Sequence, residues 1–216
     1  MAAPYTGDVQ RYAITSRGRY GSSEAYRLES VVQEASCWAA EGVNFLQIRE
    51  KDLEAGELVQ LVRQILTAVR SVQTDDTMVL VNGRADVALA AGADGVHLTA
   101  APGELTPQQV REIYYAAASN KAPFISMSCH STDQVRHAAA MGADAILFGP
   151  VFGKVIHEVE VTAAVGLEQL KAACREAAGV PVFALGGVTR QNTEACLQAG
   201  AAGVAGIRLF QRHPHE

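Results

Sequence analysis

Cationic side chains follow two short apolar runs of this sequence. Arg49 and Lys51 come directly after one run, and Arg84 comes three residues after another. Arginine binds a phosphate in bidentate fashion and lysine binds it as a point charge. The three residues therefore indicate a site for a phosphate or diphosphate. In the alternative interpretation they are surface residues that form ion pairs with neighbouring acids, which are Glu50, Asp52 and Asp86.

A pair of glycines indicates a further place for a phosphate. Gly186 and Gly187 follow the apolar run Val182 to Leu185 and precede a segment with helical spacing. Barrels of alternating strands and helices hold phosphates with backbone N–H groups after the seventh strand. A Gly-Gly pair by itself is more often a tight turn, so its place after the seventh predicted strand is what favours a binding role.

His130 is the best candidate for proton transfer, because it ends a strand and an imidazole titrates near neutral pH. In the alternative interpretation it is a structural residue bonded to a neighbouring loop. We expect His97 only to pack at the end of its strand. Cys129 is interpreted as a residue that packs in the barrel wall. Its only candidate base is the adjacent His130, and successive side chains of a strand point to opposite faces.

The strands and helices that carry these residues are predicted from a sequence pattern that is clearest in residues 79–98. A β-branched run ends in a polar turn, an Ala-rich segment follows, a glycine ends that segment, and a second apolar run begins at once. Glycine ends helices because it readily adopts the left-handed conformation. Similar endings lie at Gly42, Gly92, Gly142 and Gly200, spaced by 50, 50 and 58 residues. This spacing suits two strands and two helices, which predicts four βαβα quarters.

Eight strand and helix units imply a parallel (β/α)8 TIM barrel. The predicted strands are 11–15, 45–49, 78–81, 95–98, 124–128, 145–148, 182–185 and 203–207. The predicted helices are 25–40, 58–69, an Ala-rich segment after Arg84, 107–118, 132–141, 167–178 and 192–198. Residues 153–165 show no clear period and are expected to form a long loop, which in compact domains is usually mobile or functional.

Active sites of such barrels lie at the carboxyl ends of the strands. The residues expected there are rich in cations and nearly free of acids: Gln47, Arg49, Lys51, Asn82, Arg84, His97, Thr99, Ser128, His130, Gly149, Lys154, Gly186, Gly187 and Arg208.

Length and composition fit one α/β domain over residues 1–216. Hydrophobic residues make up 49% and charged residues 19%, as in ordinary globular proteins. The net charge of -5 and the absence of a basic run argue against a nucleic-acid partner. No apolar stretch approaches the roughly 18 residues of a membrane helix, and the amino terminus lacks a signal-peptide layout. The four cysteines are scattered, so we expect neither a zinc site nor disulfides, and a cytoplasmic location.

The chain resembles the thiamine phosphate synthase/TenI family. The matching segments are Gln47-Ile-Arg49-Glu-Lys51, Val81-Asn-Gly-Arg84, Gly92-Ala-Asp-Gly-Val-His97, Ser128-Cys-His130, residues 142–152 and Ala184-Leu-Gly-Gly187. The match runs from about Arg11 to Phe210, and it implies a (β/α)8 barrel that handles thiazole phosphate in thiamin biosynthesis. The synthase branch uses Mg²⁺ to join a pyrimidine diphosphate to thiazole phosphate, releasing pyrophosphate. The TenI branch aromatises the thiazole phosphate precursor by moving a proton, with a histidine as acid and base.

Departures from the synthase pattern favour the TenI branch. Synthases typically have a Mg²⁺-binding Asp at the position of Gly83, and an acidic pair in the loop that here is Thr99 to Glu104. Mg²⁺ takes carboxylate oxygens, which this rim has lost. Gly153 to Ile156 also replaces a segment that helps to bind pyrophosphate. His130 matches the TenI catalytic histidine, although some synthases share it. Arg208 replaces a small polar residue, and it either binds the phosphate or blocks it.

The main prediction is a metal-independent thiazole tautomerase with His130 as the catalytic acid and base. The predicted substrate-binding residues are Gln47, Arg49, Lys51, Asn82, Arg84 and Ser128, and the predicted phosphate-binding residues are Gly186, Gly187 and Arg208. One alternative is a thiamine phosphate synthase, which would need Mg²⁺, and another is a non-catalytic protein that binds thiazole or thiamin phosphate. The expected partner is a small phosphorylated molecule, without nucleic acid or membrane, and homo-oligomerisation is left open.

Overall fold

The computed structural model describes residues 9–21, 23–72, 77–99, 103–156 and 159–210. Its strands are β1 (Gln10–Ile14), β2 (Phe45–Ile48), β3 (Met78–Asn82), β4 (Gly95–Thr99), β5 (Phe124–Cys129), β6 (Ala145–Phe148), β7 (Lys154–Ile156), β8 (Val159–Thr162), β9 (Val182–Leu185) and β10 (Gly203–Gly206). Its α-helices are α1 (Glu24–Ala40), α2 (Ala55–Arg70), α3 (Ala85–Ala91), α4 (Pro107–Ala116), α5 (Thr132–Ala140), α6 (Gly166–Glu176) and α7 (Thr193–Gln198), and a short 3-10 helix spans Arg17–Arg19.

Eight parallel strands close into a barrel in the order β1-β10-β9-β6-β5-β4-β3-β2. The predicted fold class is therefore confirmed, and each of the eight predicted strands corresponds to one barrel strand within two residues at either end. In the described part of the chain a helix follows every barrel strand except β10, because residues 207–210 are not helical. The expected frayed tail, residues 211–216, lies outside the described residues.

The prediction of a long loop at residues 153–165 is wrong for most of the segment. It contains a hairpin in which β7 pairs antiparallel with β8, and this two-stranded sheet is separate from the barrel. The segment is rich in β-branched residues, which favour extended backbone. The two strands have three and four residues, so they are too short to establish a recognisable period. Lys154, which we placed at the barrel mouth, begins β7.

The predicted start of α2 at Leu58 is also late. The helix begins at Ala55, because Glu54 and Glu57 form a capping box that satisfies amide groups of the first turn. The apolar period starts only at Leu58, so periodicity alone could not detect the first turn.

Side-chain alternation along the strands divides the core into two layers. The layer inside the barrel contains stacked and edge-on aromatic rings: Tyr12 lies 5.6 Å from both Phe45 and Phe183, measured between ring centroids. The larger layer lies between the strands and the helices and includes the buried indole of Trp38, whose Nε1–H donates to the carbonyl of Phe210 at 2.8 Å.

The recurring glycine endings have a physical explanation. Gly92 has φ +76° and Gly142 has φ +81°, so both release their helices through the left-handed conformation. Two residues later, just before the next strand, an acid bonds to and so clamps the backbone of the preceding strand, which is its neighbour in the barrel. The backbone N–H of Asp94 donates to the carbonyl of Val79 at 2.9 Å, and its carboxylate accepts from the N–H of Val79 at 2.8 Å. Asp144 makes the same pair of bonds with Ile125, at 2.7 and 2.8 Å.

None of the helices in the described ranges is long and apolar enough to cross a membrane.

The clamp of Asp94 yields a stability prediction. Asp94 is 8% exposed and is also paired with Arg70 and Lys121. Asp94→Ala leaves the buried N–H of Val79 without its acceptor, so we expect the free energy of unfolding to fall by about 2–3 kcal/mol. Urea denaturation followed by circular dichroism measures this change.

The matched control is Asp133→Ala. The Asp133 side chain is 86% exposed and pairs with Arg136 on the same helix. Exposed pairs contribute little, so the control should lose less than about 1 kcal/mol. Equal losses in the two variants would contradict the role of the clamp.

Candidate active site

Hydrogen bonds join neighbouring strand ends on one side of the barrel mouth. Gln47 at the end of β2 donates through Nε2 to Oδ1 of Asn82 at the end of β3, at 2.8 Å. The N–H of Gly83 then donates to the carbonyl of His97 on β4, also at 2.8 Å. His97 Nε2 lies 2.7 Å from the hydroxyl of Ser128 on β5. The predicted residues Gln47, Asn82 and Ser128 are thus linked across four adjacent strands.

Further bonds continue this arrangement to β9. His130, just after β5, is bonded through Nδ1 to the carbonyl of Gly149, just after β6. Phe152 donates its N–H to the carbonyl of Gly186 at 3.0 Å. His130 and the glycine pair therefore follow successive barrel neighbours, β5, β6 and β9.

The bond to Gly149 fixes the tautomer of His130. A carbonyl oxygen only accepts hydrogen bonds, so Nδ1 must carry the hydrogen. In the neutral imidazole Nε2 then carries the lone pair and can act as a base. His130 is exposed, so this nitrogen is accessible to a ligand. His130 is therefore bonded to a neighbouring loop through Nδ1 and can still act as a base through Nε2. Its catalytic role stays a prediction.

The three predicted cations differ in their surroundings. Arg84 is bonded in bidentate fashion to Asp86 at 2.9 and 2.7 Å, as the ion-pair interpretation expects. This hydrogen-bonded guanidinium lowers the pKa of the Asp86 carboxyl. Arg49 and Lys51 have no side-chain acceptor among the described residues. Lys51 and Arg84 line a cavity of about 240 Å³ together with Asn82.

Arg17 explains why Arg49 and Lys51 have no acidic partner. This arginine is 7% exposed, and its guanidinium binds Glu50 at 3.2 Å and Asp52 at 2.6 Å. Sequence analysis did not consider Arg17, because it lies 33 residues before Glu50. Its position in a polar segment after a predicted strand was the only available signal.

The glycine pair opens onto a second cavity, of about 400 Å³, which Arg208 also lines. Gly186 and Gly187 have φ +89° and +64°. A Cβ atom on Gly187 would lie 2.6 Å from the carbonyl oxygen of Phe152, so only glycine fits. The N–H groups of both glycines donate to no acceptor in the described ranges, and the Arg208 guanidinium has no partner there either. Successive free N–H groups and a cation suit an oxyanion such as phosphate.

Gln47 carries an unsatisfied acceptor. The residue is 2% exposed, and its Oε1 has no hydrogen-bond partner in the described part of the chain, while its Nε2 is bonded to Asn82. Buried polar atoms normally have a partner. The free oxygen therefore suits a ligand that brings an N–H or O–H group to the barrel mouth.

His97 is buried as expected, but in a polar network that the sequence did not indicate. Its Nδ1 lies 2.8 Å from the hydroxyl of Ser126, and the hydroxyl of Tyr12 lies 2.9 Å from Ser126. Burial, and then the charge of Arg49, lower the pKa of His97 to about 3. The Cys129 thiol is also buried, which raises its pKa to about 12 and agrees with wall packing.

The described residues do not form a Mg²⁺ site. Gly83 offers no side chain, and the acids that flank the predicted cations are bound to arginines, namely Glu50 and Asp52 to Arg17 and Asp86 to Arg84. Within the described ranges, no group of three or more His, Cys, Asp or Glu side chains is placed to hold a metal ion.

These features define a (β/α)8 barrel with cavities at the carboxyl ends of its strands, one lined by Lys51 and Arg84 and the other by Gly186, Gly187 and Arg208. Residues 11–210 match the family model described as thiamine monophosphate synthase, and the chain belongs to this family. This confirms the resemblance found in the sequence and the prediction of an enzyme family of thiamin biosynthesis.

Individual relatives point to the synthase branch. A Geobacter sulfurreducens protein named "Putative thiamine-phosphate synthase" is 40% identical, with 96% of this chain and 89% of the relative covered. A thiamine-phosphate synthase of Koribacter versatilis is 31% identical, with 91% and 86% covered. The solved thiamine phosphate pyrophosphorylase of Pyrococcus furiosus superposes with a TM-score of 0.73 at 28% identity, covering 93% of this chain and 86% of its own. These names favour the synthase alternative over our main prediction.

The buried imidazole of His97 yields a pH prediction. Its folded-state pKa lies below the ordinary value of 6.5, so below pH 6.5 the unfolded chain binds a proton that the folded protein excludes. The free energy of unfolding should therefore fall as the pH decreases from about 6.5 towards 3, by up to about 1.4 kcal/mol per pH unit. Urea denaturation at several pH values measures this slope.

His97→Gln should reduce that slope, because it removes the titrating group and keeps a hydrogen-bonding side chain. An unchanged slope in this variant would show that other groups cause the acid sensitivity.

Proposed function

We propose that this protein is a thiazole phosphate tautomerase that acts without a metal ion. The observation that carries the proposal is the bond from His130 Nδ1–H to the Gly149 carbonyl, which leaves Nε2 as the acid and base. The substrate would be the carboxylated, non-aromatic thiazole phosphate, and the product its aromatic isomer.

The phosphate of this substrate fits the cavity at the glycine pair. Gly186 and Gly187 would donate their backbone N–H groups, and Arg208 would add a positive charge. Pro150 lines the same cavity and directly follows Gly149, the partner of His130. Phosphate binding there would therefore hold the thiazole ring near the imidazole.

Proton transfer is the only chemical change that this isomerisation requires. Neutral Nε2 would accept a proton from the non-aromatic ring system, and the resulting imidazolium would return a proton to another atom of the same molecule. The two isomers contain the same atoms and electrons, so no oxidant or further reactant is needed. A positioned acid and base of this kind typically accelerates a reaction by about 10²–10⁴.

A thiamine phosphate synthase is the second candidate, because relatives at 31% identity and above carry that name. In this case Gln47, Arg49, Lys51, Asn82 and Arg84 would hold the pyrimidine diphosphate. Glu50 and Asp52 are already bound to Arg17, and Asp86 is bound to Arg84, which disfavours the Mg²⁺ centre that such chemistry uses.

We expect His130→Gln to reduce tautomerase turnover by about 10²–10⁴, because glutamine cannot exchange a proton near neutral pH. The assay follows conversion of the carboxylated precursor to the aromatic isomer in buffer that contains a chelator, which removes metal ions. The matched control is His137→Gln, since His137 is an exposed histidine on the following helix α5. Its turnover should equal that of the native protein.

The same preparations also test the second candidate. They are incubated with pyrimidine diphosphate, thiazole phosphate and Mg²⁺, and pyrophosphate release is measured. Pyrophosphate release without isomerisation would overturn the proposal in favour of a synthase. Ligand binding without either reaction would identify a non-catalytic binding protein.

A further inference from the structure

A polar network inside the barrel has no role in the proposed proton transfer. Tyr12 and Ser126 are completely buried, and His97 is 3% exposed. The Tyr12 hydroxyl lies 2.9 Å from Ser126 Oγ and 3.4 Å from His97 Nδ1, and Ser126 Oγ lies 2.8 Å from the same nitrogen. On its other side His97 Nε2 lies 2.7 Å from Ser128 Oγ, at the half-buried end of β5.

Counting hydrogens determines which nitrogen of His97 is protonated. Burial raises the pKa of Tyr12 well above its ordinary value, so its hydroxyl keeps its hydrogen. Tyr12 and Ser126 thus bring two hydrogens, and in the described part of the chain their hydroxyl groups are hydrogen-bonded only to each other and to Nδ1. If Nδ1 also carried a hydrogen, it could not accept one, and the contact between the two hydroxyls holds only one of their two hydrogens, so one buried donor would stay unpaired.

The opposite tautomer satisfies every group. Tyr12 donates to Ser126, and Ser126 donates to an unprotonated Nδ1. The neutral imidazole then carries its hydrogen on Nε2. An unpaired buried donor costs about 1–3 kcal/mol, so this arrangement is strongly preferred.

We propose that His97 is a positioning residue that donates from Nε2 to Ser128 and so directs the Ser128 hydroxyl hydrogen towards a bound oxyanion. A hydroxyl that accepts from His97 keeps its own hydrogen for another partner. With the other tautomer Ser128 would donate to His97 and would offer a ligand only lone pairs.

The surrounding charge agrees with an oxyanion at this place. The Arg49 guanidinium has no acceptor among the described residues, and it lies close enough to His97 for its charge to lower the pKa of the imidazole. A cation and a directed hydroxyl hydrogen suit a carboxylate or phosphate oxygen. The proposal deepens the proposed function, whose substrate carries both groups, but it is tested without turnover, so either can fail alone.

Long-range ¹H–¹⁵N correlation spectra of the histidine rings test the tautomer directly. The His97 signals are identified by their response to Ser128→Ala, which removes their hydrogen-bond partner at Nε2. We expect the hydrogen on Nε2 at neutral pH in the native protein. A hydrogen on Nδ1, alone or in a mixture, would overturn the proposal.

Titration with inorganic phosphate tests the consequence for binding. Phosphate should shift the His97 Nε2 resonance, and the affinity read from this shift should fall at least about tenfold in Ser128→Ala, because a hydrogen bond to a charged group is lost. The control is Ser71→Ala, at the exposed C-terminal end of α2 on the opposite side of the barrel, which should bind like the native protein. No shift at His97, or an unchanged affinity in Ser128→Ala, would overturn the proposal.

Discussion

Closure of the parallel sheet is the constraint on which the site depends. Neighbouring strands in a sheet lie about 4.8 Å apart, and all eight barrel strands run in one direction. Their carboxyl ends therefore form one ring, and side chains that are far apart in the chain become hydrogen-bond partners. Gln47 and Asn82, or His130 and Gly149, meet because their strands are parallel neighbours in this register. The acid clamps at Asp94 and Asp144 stabilise that register from the opposite end.

The distribution of charge at the ring follows from one buried arginine. Arg17 binds Glu50 and Asp52, and the backbone N–H of Arg17 also donates to the Glu50 carboxylate at 3.1 Å. A nearly buried guanidinium needs such partners, because an unpaired buried charge is costly. The acids on either side of Lys51 are therefore neutralised by Arg17, and among the described residues the Arg49 and Lys51 side chains have no acidic partner.

Burial gives the two histidines of the ring different properties. His97 lies among buried hydroxyls, and desolvation keeps its ring neutral. His130 lies two positions beyond Ser128, just after the same strand, and its exposed side chain is bonded to the carbonyl of Gly149. His97 is therefore a buried neutral ring, whereas the His130 ring is exposed.

The sequence by itself determined the barrel and the places where chemistry could occur. The glycine endings near Gly92 and Gly142 and the short apolar runs are local signals, so they are readable without contacts. The same signals predicted that Gly186, His130 and Arg49 lie at the carboxyl ends of strands, and the structure places all three directly after a strand. The strands β7 and β8 were missed because they are too short to show an alternating apolar pattern. Each is defined by its pairing with the other, which the sequence does not show. Only the tertiary structure decided that Arg84 is bound to Asp86, that Arg17 holds the acids, and that His97 contacts Tyr12 and Ser126. These contacts join residues from different strands and loops, and their energies depend on burial, which a linear sequence does not contain.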